Sequence, residues 1–331
     1  MIKKEAKLNT KIFDKDCEQV PIRQGFGEGL LIAGEKDKRV VALCADLTES
    51  TKMLLFKEKF PERFIEIGVA EQNLASVASG MAAMGKIPVI SSYAMFSPGR
   101  NWEQIRTTIC YNDRKVIIAG SHAGISVGPD GGTHQAVEDI AITRVIPNMT
   151  VISPCDAIEA KKAMIAIAKS DIKTPVYLRL AREKTAIITT EDTPFEIGEA
   201  EIFYESKKPV VAIIATGALV HKALKAASEL EADGIGILVI NLHTIKPLHE
   251  ELIIEAAKKA GAVVTVEEHQ VAGGMGSAVA ECLAQVCPVP IEFVGVRDLF
   301  GQSGTPDELI EHYEMGVSHI KSAVEKAIGR K

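Results

Sequence analysis

Two histidines, an aspartate and five glycines fall within one short stretch, Gly120-Ser-His-Ala-Gly-Ile-Ser-Val-Gly-Pro-Asp-Gly-Gly-Thr-His134. A neutral histidine both donates and accepts hydrogen bonds, which suits hydroxyl-rich substrates and proton transfer. Glycines let a backbone come close to a ligand. A flexible surface turn would explain the glycines alone, but not the company of His122, Asp130 and His134. A metal site is a third reading, although the spacing matches no standard ligand pattern. Gly124-x-Ser126-x-Gly128 has the outline of a hydrolase nucleophile elbow. Such an elbow leads straight from a strand into a helix. Here Pro129, Asp130, Gly131 and Gly132 follow and break a helix, so Ser126 reads as an ordinary loop serine. A further carboxylate, Glu71, falls in the first turn of a helix carrying Ala75, Val77, Ala78, Met81 and Ala82. Taken by itself it is explained by a favourable interaction with the helix dipole.

The elements that must position these groups alternate along the chain. Short, continuously apolar runs at 40–43, 87–90, 116–119 and 175–178 suit strands buried on both faces of a parallel sheet. A second set follows at 210–215, 235–240, 262–266 and 291–296. Amphipathic stretches at 70–84, 156–170, 218–232 and 275–286 lie between them as helices. The expected fold is therefore α/β, with the glycine-rich stretch at the C-terminal edge of a parallel sheet, where such proteins place ligands. The polar, acidic segment 184–208 breaks the rhythm. It divides the chain into a first domain over 1–185, a linker over 186–208 and a second domain over 209–331. Gly25-Phe26-Gly27-Glu28-Gly29 has the wrong spacing for a dinucleotide loop and reads as close helix packing.

Composition narrows the function classes. The chain has 331 residues, 47% hydrophobic and 25% charged, ample for a packed core. With 38 basic and 44 acidic residues its formal charge is −6, a poor basis for nucleic-acid binding. Six cysteines without a C-x-x-C are read as reduced thiols. No apolar run approaches the roughly 18 residues that span a bilayer, and the N-terminus lacks a signal-peptide stretch. The expectation is a soluble, cytoplasmic chain with no membrane and no nucleic-acid partner.

Taken together, ADLTES (45–50), IGVAEQN (67–73), SSYAMF (91–96), GSHAGISVGPDGGTHQAVED (120–139) and PVYLRLARE (175–183) resemble the transketolase family of thiamine diphosphate enzymes. They occur in family order, and the likeness continues through VEEH (266–269) and GGMGSAV (273–279). The resemblance implies a pyrimidine-binding domain with a mainly parallel sheet, followed by a transketolase C-terminal domain. The family's first domain, with the Gly-Asp-Gly motif that holds metal and diphosphate, has no counterpart here. The chain thus resembles the C-terminal section of a split transketolase. The implied partners are an N-terminal subunit carrying Mg2+ or another divalent cation and the diphosphate site, a second copy of this chain, and sugar phosphates. No metal ligand is assigned within the chain itself.

The resemblance also implies roles. Glu71 matches the family's catalytic glutamate, which hydrogen-bonds N1′ of the aminopyrimidine and favours the tautomer that deprotonates C2 of the thiazolium. Burial is expected to push such a carboxyl toward holding a proton. Phe96 and Tyr93 match aromatic positions around that ring, although Ser97-Pro98-Gly99 departs from the family pattern. Asp46 matches a motif aspartate close to the cofactor. His122 and His134 match active-site histidines that contact substrate, and Asp130 matches an aspartate that reads a substrate hydroxyl. Arg23, Ser50 and Arg182 match positions for the terminal phosphate, with Arg179 a nearby competitor for the last of these. Glu268 and His269 stand at the site's edge without a role.

Two relatives compete. 1-Deoxyxylulose 5-phosphate synthase shares Ala-Glu-Gln and Asp-Gly-x-Thr-His, but usually has Arg in place of His122 and diverges after the Thr-His. The β subunit of 2-oxo acid dehydrogenases lacks the combination of His122 with Asp130-Gly-Gly-Thr-His134. Gly132 replaces a proline common in the family and removes no catalytic group. A non-catalytic regulatory homologue would have no need of Glu71, His122 and His134. The expected reaction is reversible transfer of a two-carbon ketol unit from a ketose phosphate to an aldose phosphate.

Overall fold

A computed structural model describes residues 1–331. Eight strands belong to the first part of the chain: β1 (Gln19–Pro21), β2 (Val40–Cys44), β3 (Phe64–Glu66), β4 (Ile87–Tyr93), β5 (Ile117–Ser121), β6 (Thr150–Ile152), β7 (Val176–Arg179) and β8 (Lys184–Ala186). Six follow: β9 (Glu201–Glu205), β10 (Val211–Ala215), β11 (Ile237–Asn241), β12 (Thr244–Lys246), β13 (Val263–Gln270) and β14 (Ile291–Val296). The first large sheet runs β12-β6-β7-β5-β4-β2-β3, and the second runs β14-β13-β10-β11-β9. Within these two sheets all pairings are parallel except those of the edge strands β12 and β9. Every residue of β2, β5, β7, β10 and β11 is buried, because helices cover both faces. The α/β expectation and both sets of apolar strands are thus observed.

Local chemistry sets the helix positions. The helix Ile22–Lys36 lies against the helix Ala157–Lys169 through the glycines read as packing residues. A Cβ on Gly25 would stand 1.7 Å from Ala157 O, and one on Gly29 would stand 2.8 Å from Lys161 O. Gly25→Ala must therefore push the helices apart. We expect a loss of about 3 kcal/mol in urea unfolding, the upper end for overpacking; a variant as stable as its parent would show that this contact is not tight. Asp156 caps the second of these helices by accepting Glu159 N at 2.8 Å. It also accepts Ile188 N and Thr189 N at 2.8 and 2.6 Å, which fixes the chain as it leaves the first domain.

The two domains share elements. β1 and β8 pair antiparallel where the chain enters and leaves the first domain. The segment 186–208 contains β9, which joins the second sheet beside β11. Only two residues after β11, β12 crosses to pair with β6 of the first sheet. At the other end, Ala6, Leu8 and Ile12 are buried in the core of the second domain, and Ile2 bridges Tyr204. No helix is long and apolar enough to cross a membrane. All six cysteines are free thiols.

Candidate active site

The C-terminal ends of β2, β3, β4, β5 and β7 lie side by side, and the candidate residues follow directly from them. Glu71 begins the helix Glu71–Ala83, reached from β3 through Gly68, whose φ of +76° favours glycine. Its carboxylate is buried, with 3% exposure. Arg100 Nη1 lies 3.3 Å from Oε2, while Oε1 has no hydrogen-bond partner within the chain. Asn101 Nδ2 donates to Glu71 O at 2.9 Å and to Ser97 Oγ at 3.2 Å, pinning the turn after β4 to the start of this helix. The burial of Glu71 is therefore tertiary, supplied by a turn some thirty residues later.

That turn also carries the aromatic pair. Tyr93, at the end of β4, stacks on Phe96 with centroids 6.0 Å apart and on His122 with centroids 3.7 Å apart. His134 meets Phe96 edge-on at 5.4 Å and Tyr93 at 6.0 Å. Both histidines and both rings thus form one cluster. His122 immediately follows β5 and has φ of +57°, a conformation uncommon outside glycine. Its Nδ1 faces Ser121 Oγ at 2.9 Å. Burial, then the charges of Arg23, Arg182 and His134, push its pKa down to about 3, so the ring is neutral at neutral pH.

This shift has a sign. The unfolded chain takes up a proton at His122 below its ordinary value of 6.5, and the folded chain refuses it until about 3. The stability contributed by this residue is complete above pH 6.5 and falls as the pH drops through that window. In urea melts at pH 7 and pH 5, His122→Asn should lose less stability on acidification than the parent; an identical loss would show that the buried imidazole is not refusing the proton.

The remaining candidates lie beside this cluster. Arg23 Nε donates to Arg182 O at 3.1 Å, and its Nη1 donates to Ser50 O. Burial, then the neighbouring Arg182 charge, lowers the Arg23 pKa, and Glu183 Oε1 lies 3.4 Å from Arg182 Nε. Arg182 pairs with Asp130 Oδ1 at 3.2 Å and donates to Val127 O. Arg179 is placed differently. It is 5% exposed and grips Asp139 through Nε at 2.8 Å and Nη2 at 3.2 Å. Its Nη2 also donates to Glu268 O at 2.8 Å. The geometry therefore puts Arg182 beside Arg23 and Arg179 in a buried ion pair. Asp46, with φ of +57°, follows β2; its N–H donates to Glu66 Oε1 at 2.7 Å.

Three contributors were not anticipated from the sequence. Glu66 accepts from Asp46 N, Gly68 N and Thr48 Oγ1, tying two loops of the edge together. Arg100 pairs with Glu71. Asp139 anchors Arg179 and accepts Tyr177 Oη at 2.6 Å. Only Asp139 carried a signal, as the last residue of the motif over 120–139. The second domain closes the back of that stretch: Glu268 Oε1 accepts Ser126 N, and Gln270 N donates to Val137 O at 2.8 Å. Ser126 is buried, and its Oγ has no hydrogen-bond partner.

The donor set suits an aminopyrimidine. It offers a buried carboxylate with one unpaired oxygen and, on the same sheet edge, the flat faces of Tyr93 and Phe96 packed with neutral His122 and with His134. Comparisons with known proteins find matches over both halves of the chain. Residues 18–186 match the model of the transketolase pyrimidine-binding domain, and residues 198–320 match that of the transketolase C-terminal domain. The chain is 42% identical over 319 residues to a 6-deoxy-6-sulfo-D-fructose transketolase subunit of Clostridium sp. strain MSTE9, covering 96% of this chain and 98% of that one. It is 44% identical over 309 residues to a putative transketolase C-terminal section of Methanocaldococcus jannaschii, covering 92% and 96%. Human transketolase is 34% identical over 93% of this chain, which spans 49% of that protein. A solved split-gene transketolase, described as an inactive β4 tetramer, superposes with a TM-score of 0.87 at 43% identity, covering 94% of this chain and 99% of that one.

Proposed function

The chain belongs to the transketolase family, and from that premise we propose that it is the pyrimidine-side subunit of a split, thiamine-diphosphate-dependent transketolase. The observation that carries this reading is the convergence of Glu71, the Tyr93–Phe96 pair, His122 and His134 on one sheet edge. When bound, thiamine diphosphate supplies a carbon nucleophile for cleaving the bond beside a ketose carbonyl. In this reading Glu71 presents its carboxylate to the aminopyrimidine, with Phe96 and Tyr93 as flat walls and Asp46 at the rim. His122 and His134 hold substrate hydroxyls and move protons, His122 as a neutral ring. Asp130 reads a hydroxyl. Arg23 and Arg182, with Ser50, hold the terminal anion of the sugar, since a guanidinium fork suits a phosphate. The diphosphate and its Mg2+ or other divalent cation are held by an N-terminal partner subunit, and a second copy of this chain completes a heterotetramer of the cytoplasm. The reaction is ketol transfer between sugar phosphates, as in the pentose phosphate pathway.

Calorimetry with thiamine diphosphate and Mg2+ tests the division of labour. Tight binding is expected only when the N-terminal section is added, and tight binding by this chain alone would overturn it. One relative favours a second reading of the substrate. The named activity of the Clostridium protein concerns a sulfonated sugar, and the Arg23–Arg182 pair suits a sulfonate as well as a phosphate. Parallel assays with fructose 6-phosphate and 6-deoxy-6-sulfofructose as donors separate the two.

A further inference from the structure

A carboxylate–imidazole cluster lies between the two domains and is used by none of the chemistry above. Glu159 comes from the helix Ala157–Lys169, Glu201 from the start of β9, and His243 from the link between β11 and β12. One ligand atom from each lies within 4.8 Å of the other two. The side chain of His243 is fully buried, Glu159 is 1% exposed, and the side chain of Glu201 is 15% exposed.

The His243 ring is held in place by its neighbours. Nδ1 faces Thr244 Oγ1 at 2.9 Å, and the ring packs against Phe195 with centroids 4.4 Å apart. That leaves Nε2 directed at the carboxylates. Nε2 and Glu201 Oε2 are 3.1 Å apart, within ion-pair distance but outside hydrogen-bond geometry, and neither has another partner. Buried polar atoms without partners are uncommon and costly. Their separation is close to the spacing of two ligands on a tetrahedral zinc ion, about 3.3 Å for bonds of about 2.0 Å. Glu159 is oriented from outside, its Oε2 accepting Cys155 N at 2.6 Å and its Oε1 accepting Asn241 Nδ2 at 2.7 Å. The same Asn241 keeps its own Oδ1 unpartnered. Outer contacts of this kind, which fix a ligand's direction while leaving a lone pair free, accompany metal ligands.

We propose that Glu159, Glu201 and His243 bind one divalent transition-metal ion of the zinc class. One nitrogen and two carboxylates suit that class. The ion would tie the first domain to the β11–β12 link, at the point where the second domain hands a strand to the first sheet. It is separate from the divalent cation assigned to the partner subunit.

The test uses the full chain, treated with chelator and free of thiamine diphosphate, titrated with Co2+ and followed by visible absorption. The expected result is a band that saturates at one equivalent per chain and is displaced by Zn2+. In Glu201→Gln and His243→Gln the affinity should fall by at least the roughly tenfold that an outer-sphere change alone costs. Zn2+ should raise the melting temperature of the parent and not of the variants. No saturable band in the folded parent overturns the proposal, whether or not the variants fold. A band of unchanged affinity in both variants overturns it too, and leaves a buried histidine–glutamate ion pair as the content of the cluster.

Discussion

Glu71→Gln should lower ketol transfer in the assembled enzyme by about 10³-fold, within the range that a positioned acid–base group contributes. The substitution keeps the shape of the side chain and can still accept Arg100 at its amide oxygen, so the fold should survive. What it removes is a carboxylate able to take or share a proton with a ring nitrogen. The buried setting makes the loss large, because a preorganised group in a low-dielectric site is worth far more than one in water. Circular dichroism and partner association should match the parent while turnover collapses. Turnover within a few-fold of the parent would remove Glu71 from the mechanism.

The largest expected effect on stability lies at the Arg179–Asp139 pair. Asp139→Leu leaves a guanidinium buried without its partner and should cost roughly 3–5 kcal/mol. Burial opposes ionisation of Asp139, but the Arg179 charge prevails and holds its carboxyl below the ordinary range. Removing both charges, in Asp139→Leu with Arg179→Met, should recover much of the loss, because a well-packed apolar pair avoids the desolvation cost. Urea unfolding of the parent, both single variants and the double variant measures this coupling. Simple additivity of the two losses would show that the charges do not depend on one another.

The fold was largely legible because burial on both sides leaves continuous apolar runs, and the strands fall on them. The short elements were less legible. β3, β6 and β12 are three residues each and carry no periodicity of their own; β12 exists only because β6 offers an open edge. β9 lies inside a polar segment that reads as a crossing, since an edge strand can stay half exposed. In the site, the histidines and Asp130 stood out because glycines surround them. Glu71 did not, because its burial comes from Asn101 and the turn after β4, which local patterning cannot show. Arg179 and Arg182 look interchangeable in sequence. They differ because Arg179 is the last residue of a buried strand facing Asp139, whereas Arg182 lies beyond it, beside Asp130.

The most direct measurement is transfer of a ketol unit from xylulose 5-phosphate to ribose 5-phosphate, with Mg2+ and thiamine diphosphate. It should be made on this chain alone and on its mixture with the N-terminal section. Activity in the mixture and none in the chain alone is the predicted result. A folded, associated mixture that transfers nothing from this donor or its sulfonated counterpart, or a chain that turns over unaided, would contradict the assignment of a split transketolase subunit.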